Sequence, residues 1–132
     1  MLVKKRRIYL IMKSYTSLEQ SKKLVEFLPL ESADMCYKCI GEDPYDVILR
    51  PYSEWKEEYK GLLVGKEVDV VPCWSLAALL CVLPEIQGSK PVISLYDNYI
   101  TYPHMSGLHF KADNLIDACY KMIIKLHELN LL

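Results

Sequence analysis

The apolar pattern near the end of the chain constrains the fold more than any other feature. Asp113 or Asn114 is a suitable helix cap, and Asp117 follows in the first turn, where a carboxylate interacts favourably with the helix dipole. Six apolar or sulfur-containing residues then recur with the spacing of one helical face. The pattern predicts an amphipathic C-terminal helix. Its stripe consists of Leu115, Ile116, Cys119, Met122, Ile123 and Leu126.

Two earlier segments also predict helices. In TSLEQSKKLVEFLP, Thr16 with Glu19 three residues later is typical of a capping box, and Pro29 ends the apolar pattern. In PCWSLAALLCVLP, Ser75 is a suitable N-cap and nearly every later residue is apolar. We therefore expect this short helix to be buried nearly all round, as the central element of the core.

The strand signals lie between these helices. PVISLYDNYITYP holds two runs of β-favouring residues joined at Asp97 and Asn98, which tolerate the left-handed conformation of a tight turn, so a hairpin is predicted over about residues 92–103. LHFK and YDVILR are each typical of one short strand. The sequence thus predicts an α+β fold. A small, mainly antiparallel sheet, made of the hairpin and one or two further strands, packs against N-terminal, central and C-terminal helices.

Length and composition indicate the size class and the compartment. A chain of 132 residues that is 52% hydrophobic can bury the core of one domain, so a single domain over residues 1–132 is expected, with 1–12 as a loosely ordered basic leader. The apolar stretch IYLIM after the basic residues is shorter than the core of a signal peptide, and no apolar run approaches about 20 residues. Five cysteines, an odd number, favour reduced thiols. We expect a cytoplasmic protein without a membrane partner.

CYKCIG is half of a metal or redox motif. Cys36 and Cys39 would supply two thiolates, but zinc needs two more ligands, and His104 and His109 are the only nearby pair. We therefore expect no bound metal and no cofactor, with the two thiols packed singly beside the first helix. A structural zinc site is the alternative.

Cys73 is the best candidate for a nucleophile, because it lies just ahead of a predicted helix N-terminus and three histidines are available as bases. Its neighbours Pro72 and Trp74 are apolar, however, and desolvation would raise the thiol pKa. No phosphate-binding glycine loop or metalloprotease motif occurs in the chain. A cysteine-dependent enzyme is therefore only the third hypothesis, and we expect no catalytic residues.

Aromatic and apolar residues indicate a surface for binding. The segment SEWKEEYKGLL favours a short amphipathic helix from Ser53, and tyrosine and tryptophan dominate protein interfaces. A second apolar surface is expected beside the C-terminus, off the main helical stripe. The alternative is that these side chains pack within the protein. The predicted interaction surface consists of Tyr52, Trp55, Tyr59, Ile124, Leu131 and Leu132.

The charge is distributed unevenly. Residues 1–23 carry seven basic side chains and one acidic side chain, a net charge of +6, whereas the remaining nine basic and sixteen acidic residues give −7. Such an arm can bind nucleic acid. A solvated, self-complementary surface accounts for the same pattern. Nucleic-acid binding is therefore the second hypothesis.

Four strings occur together in order: TSLEQSKKLVEF, ESADMCY, VPCWSLAALLCVLP and NLIDACYKMIIKLHELNLL. In this respect the chain resembles a family of short uncharacterised proteins from gut anaerobes and their phages, over most of its length from Thr16 onward. The resemblance implies an accessory protein of a mobile element and assigns no activity or site residue. The leading hypothesis is thus a small non-catalytic interaction or regulatory protein, whose partner is a second copy of itself or another protein.

Overall fold

The computed structural model describes residues 13–38, 46–48, 54 and 70–132 of the chain. The predicted α+β fold is confirmed in these ranges, which contain three helices and two small antiparallel sheets. The elements are α1 (Leu18–Leu24), β1 (Met35–Lys38), β2 (Asp46–Ile48), β3 (Val70–Cys73), α2 (Leu76–Val82), β4 (Val92–Ser94), β5 (Tyr99–Thr101), β6 (His109–Lys111) and α3 (Leu115–Glu128).

The chain divides into two compact units. One is Thr16–Ala78, and the other joins Leu79–Leu132 to the start of the chain. The expectation of a single domain stays a prediction. The basic leader over residues 1–12 and nearly all of the helix expected from Ser53 lie outside the described residues.

The first unit is built on the sheet β2–β1–β3, in which both pairings are antiparallel. Cys36 of β1 lies opposite Ile48 of β2 on one side and Pro72 of β3 on the other. Helix α1 packs against β3. The strand predicted in YDVILR is confirmed as β2. The sequence did not predict β1 or β3, because all four residues of β3 are buried and such a strand lacks the alternation of a half-exposed one.

Helix α1 begins one residue later than its sequence pattern indicated. Ser17 is the N-cap, and Gln20 completes the capping box, with Gln20 N donating to Ser17 Oγ at 3.1 Å and Ser17 N donating to Gln20 Oε1 at 2.9 Å. The box predicted from Thr16 and Glu19 is therefore wrong. Thr16 cannot serve as the cap because its side chain is fully buried and hydrogen-bonded elsewhere.

Helix α2 begins as predicted but is less buried than expected. Ser75 caps it, accepting a hydrogen bond from Ala78 N at 3.2 Å. Leu79 is fully buried, but Ala77 and Cys81 are exposed, so the expectation of a helix buried nearly all round is wrong. The helix has one buried side, which includes Ala78 and Leu79, and an opposite side toward water, although its residues are apolar on both.

The second unit contains the predicted hairpin and C-terminal helix. Strands β4, β5 and β6 form an antiparallel meander, which confirms both the hairpin and the third strand in LHFK. Asn98 has a φ of 52° in the turn, as its residue type predicted. Helix α3 packs against β5 and β6, and Asn114 caps it by accepting from Asp117 N at 2.9 Å. All six residues of its predicted stripe are buried.

Candidate functional site

The sheet β4–β5–β6 has one face toward the core and one outer face. Ile100 is fully buried and pairs with Ile93 and Phe110, so these three residues share the inner face beneath α3. Because side chains alternate along a strand, the neighbouring positions lie on the outer face. The outer face carries two rows: Val92, Thr101 and His109, and then Ser94, Tyr99 and Lys111.

Among the described residues, the large apolar side chains with the highest exposure lie on the hairpin. Val92 is 54% exposed, and Leu95 and Tyr96, in the turn, are 73% and 95% exposed. Together these three residues are called the hairpin surface. A turn of four residues joins β4 to β5, and such positions are usually polar. The sequence analysis missed this surface, although two large apolar residues inside a turn were a signal that could have revealed it.

The turn and the outer face are polar around the hairpin surface. Asp97 follows Tyr96, and its backbone N donates to Ser94 Oγ at 3.3 Å. Asn98 Nδ2 donates to the carbonyl oxygen of Asp113 at 3.0 Å, which links the turn to the segment before α3. The rings of Tyr99 and His109 lie 6.4 Å apart in a tilted arrangement. These contacts fix the turn and leave Leu95 and Tyr96 toward water.

The predicted interaction surface is described only in its C-terminal half. Ile124 of α3 is half-buried, and Leu131 and Leu132 are 39% and 36% exposed. Leu129, which the sequence analysis did not include, is 46% exposed and belongs to the same end of the helix. The remaining predicted residues, Tyr52, Trp55 and Tyr59, lie outside the described residues.

A buried polar cluster surrounds Thr16 in the first unit. Thr16 Oγ1 lies 2.8 Å from Ser21 Oγ and 3.5 Å from Cys73 Sγ, and it accepts from Trp74 N at 3.1 Å. The carbonyl oxygen of Thr16 accepts from Tyr37 Oη at 2.7 Å, and Thr16 N donates to the carbonyl oxygen of Trp74 at 2.9 Å. Each polar group of Thr16 therefore has a partner inside the protein, as a structural role requires.

Cys73 belongs to this buried cluster. Burial is the main cause that raises the pKa of its thiol above the ordinary value, and the hydrogen bonds from Thr16 and Ser21 only partly offset this effect. The predicted direction of the shift is confirmed. A raised pKa keeps the sulfur protonated, whereas a nucleophilic cysteine needs a thiolate. The cluster thus has the chemistry of a hydrogen-bonded core.

Asp34 completes the cap of α2 from a distant part of the chain. Its Oδ1 accepts from Ser75 N at 2.9 Å, and its Oδ2 accepts from the Ser75 hydroxyl. In addition, Ser32 Oγ accepts a hydrogen bond from Trp74 Nε1 at 2.9 Å. These bonds fasten the segment before β1 to the start of α2, which accounts for the polar side chains in this part of the unit.

The thiols of CYKCIG are only partly described. Cys36 is fully buried in β1, and Cys39 lies outside the described residues. Within the described ranges, no group of three or more histidine, cysteine or acidic side chains is placed to hold a metal ion. The absence of zinc stays a prediction, because half of the motif is not covered. None of the described helices is long and apolar enough to cross a membrane.

Comparisons with protein-family models, with curated proteins and with solved structures find no match to this chain. The resemblance to short proteins of gut anaerobes and their phages therefore stays a prediction.

Proposed function

We propose that this chain is a small non-catalytic protein that acts by binding another protein through its hairpin surface. The observation that carries the proposal is the 95% exposure of Tyr96, beside the 73% exposure of Leu95, in an ordered turn. Apolar side chains in water contribute nothing to folding, and grouped exposure of this kind is typical of contact sites.

The type of side chain also supports a protein partner. Tyrosine is enriched among the residues that dominate binding energies, because its ring supplies a large apolar area and its hydroxyl a polar contact. Two hydrogen bonds hold the turn. Asn98 Nδ2 donates to the carbonyl oxygen of Asp113, and Asp97 N donates to Ser94 Oγ. A turn that is already ordered loses little conformational entropy on binding.

The proposal also includes the genetic context and the compartment in which the protein acts. The four strings of the sequence that resemble short proteins of gut anaerobes and their phages support a role beside a mobile element. The odd number of cysteines, five in the chain, and the free thiols of Cys73, Cys81 and Cys119 support the cytoplasm as the compartment.

Site-specific photocrosslinking in the host tests the proposal. A benzophenone amino acid is placed at position 96 and, as a matched control, at the exposed position 22 of α1. We expect an adduct with one defined protein from position 96 and none from position 22. Adding Leu95→Ser to the position-96 variant should weaken that adduct.

Equal labelling from both positions, or no adduct from position 96, would contradict the proposal. An adduct at twice the 15.3 kDa mass of the chain would identify the partner as a second copy. The identified partner can then be titrated against the purified chain, and Tyr96→Ser should raise the dissociation constant by at least about tenfold.

Association with nucleic acid is the second candidate, and the net charge of +6 over residues 1–23 favours it. Lys22 and Lys23 are exposed on α1, but Lys23 Nζ lies 3.6 Å from Glu26 Oε2, and Lys13 is paired with Asp117 at 2.7 Å. Fluorescence anisotropy with single- and double-stranded DNA over a salt series is the test. Binding that weakens steeply with salt would support this candidate, and no binding at low salt would exclude it for DNA.

A further inference from the structure

The hydrogen bonds between β5 and β6 show which way the backbone groups of the sheet β4–β5–β6 point. Ala112 N donates to the carbonyl oxygen of Asn98 at 3.3 Å. Tyr102 N donates to the carbonyl oxygen of Leu108 at 2.9 Å. Because hydrogen-bonded pairs alternate along an antiparallel ladder, Ile100 also bonds to β6. The other two residues of β5 therefore turn their backbone groups toward β4.

The same alternation leaves one residue of β4 with its backbone groups directed away from the sheet. Val92 and Ser94 pair with the residues of β5 that face them, so their N–H and C=O groups point toward β5. Ile93, between them, points its N–H and C=O outward, and no residue of the described ranges bonds to these two groups. Its side chain is half-buried, whereas its cross-strand neighbour Ile100 is fully buried. The inner layer of the sheet is thus incomplete at this edge.

The residues around Ile93 limit what can pair with this edge. Val92 and Leu95 are 54% and 73% exposed. Pro91 has no N–H, and the turn begins directly after β4, so an added strand can pair along β4 only. The opposite edge strand, β6, carries His109 and Lys111, polar residues of the kind that keep sheet edges apart. These features disfavour open-ended stacking of sheets and fit a single short strand beside β4.

The charged side chains of the hairpin lie beyond the two ends of β4. Lys90 precedes the strand, and Asp97 lies in the turn after it. Both are exposed, and neither forms an ion pair within the described ranges. Lys111, the charged residue of the outer face, is on β6, two strands and about 10 Å away. A strand beside β4 is therefore complementary when it carries a carboxylate near Lys90 and a cation near Asp97.

We propose that the partner of the hairpin surface contributes an extended segment that pairs with β4 as a fourth strand, through the backbone N–H and C=O groups of Ile93. The segment places apolar side chains against Val92 and Ile93 and charges opposite to those of Lys90 and Asp97 at its ends. Strand addition of this kind takes affinity from backbone hydrogen bonds and specificity from alternating side chains. The inference rests on the proposed function, because it describes how the same surface is recognised.

Amide hydrogen exchange of the full chain tests the pairing at single residues. It is measured with and without the protein that the benzophenone at position 96 captures. The Ile93 N–H has no acceptor in the described chain, so it should exchange at least about tenfold more slowly in the complex. The Val92 N–H already points toward β5 and is the matched control, whose exchange should change less.

Two substitutions at one position separate the backbone donor from the side chain. Ile93→Pro removes the N–H, and proline is tolerated on an edge strand where the N–H points away from the sheet. Ile93→Ala removes most of the side chain but keeps the N–H, so it is the matched control. The proline variant should bind the captured protein at least about fivefold more weakly than the alanine variant. Lys90→Glu should bind it at least about threefold more weakly than the wild type.

Circular dichroism checks that each variant is folded, and the exchange of the Ile93 N–H decides the matter if the proline variant is not. No adduct from position 96 would overturn this inference together with the proposed function. A captured protein whose binding leaves the exchange of the Ile93 N–H unchanged would overturn the strand pairing alone. Equal affinities of the folded proline and alanine variants would do the same. Equal binding by Lys90→Glu and the wild type would overturn the charges assigned to the segment.

Discussion

Asn130 holds a backbone conformation that most side chains avoid. Its φ is 58°, and it forms the left-handed position of a Schellman motif, in which Asn130 N donates to His127 O at 3.0 Å and Leu131 N to Leu126 O at 2.9 Å. Asparagine tolerates this region better than other residues that carry a Cβ atom.

A substitution at this position tests the motif. Asn130→Ala should lower the free energy of unfolding by about 1 kcal/mol, whereas Asn130→Gly should leave it unchanged or raise it slightly. Urea unfolding followed by circular dichroism measures both. Equal effects of alanine and glycine would mean that the helix end is frayed.

Buried acids make the stability of the protein sensitive to alkaline pH. Burial raises the pKa of the Cys119 thiol from 9.0 to about 12 and that of Tyr102, whose hydroxyl donates to the carbonyl oxygen of Pro84, from 10.0 to about 12. An acid with a higher pKa in the folded chain keeps its proton longer there. Its contribution to the free energy of unfolding is therefore complete at pH values below its pKa in the unfolded chain. That contribution is lost as the pH rises through its pKa in the folded chain.

The pH dependence can be assigned to one thiol by substitution. The free energy of unfolding should fall as the pH rises from about 9 towards about 12, and the fall should be smaller in Cys119→Ala. Cys81 is exposed, so Cys81→Ala is the matched control and should fall as much as the wild type. An unchanged slope in Cys119→Ala would contradict the role of this thiol.

At the scale of elements, helix α3 should dominate the stability of its unit. Ile123 is fully buried where α3 packs against β5 and β6, so Ile123→Ala removes methylene groups and leaves a cavity. We expect a loss of roughly 2 to 5 kcal/mol in the free energy of unfolding. Lys121→Ala, on the exposed side, should cost under about 0.5 kcal/mol when both variants are measured as monomers. A cost for Ile123→Ala as small as that of the lysine would show that the helix is rotated from the position described.

The elements that could be predicted best from the sequence are those with a clear local pattern. The stripe of α3 and the turn at Asn98 were predictable, because one helix face meets water and one turn residue needs a positive φ. The capping box of α1 was assigned one residue early, since nothing local shows that Thr16 bonds to Trp74, 58 residues away. Strand β3 was missed for a related reason, because complete burial removes the alternation that identifies a strand.

At the scale of the whole molecule, the candidate site was predicted only in part. Ile124, Leu131 and Leu132 were identified from their place outside the main helical stripe, and they are half-buried or exposed. The hairpin surface was missed, because the residues between β4 and β5 were interpreted only as a turn. Exposure depends on what the rest of the fold leaves uncovered, and a local pattern does not contain that information.

The central claim is that the hairpin surface serves binding and not folding, and the double variant Leu95→Ser with Tyr96→Ser tests it most directly. Because both side chains are mostly in water, the free energy of unfolding from urea titration should stay within about 0.5 kcal/mol of the wild type, while the position-specific adduct is lost. Ile100→Ala, on the inner face of the same sheet, is the control and should cost roughly 2 to 5 kcal/mol. A loss above about 1 kcal/mol in the double variant would contradict the account, since Leu95 and Tyr96 would then be part of the folded core.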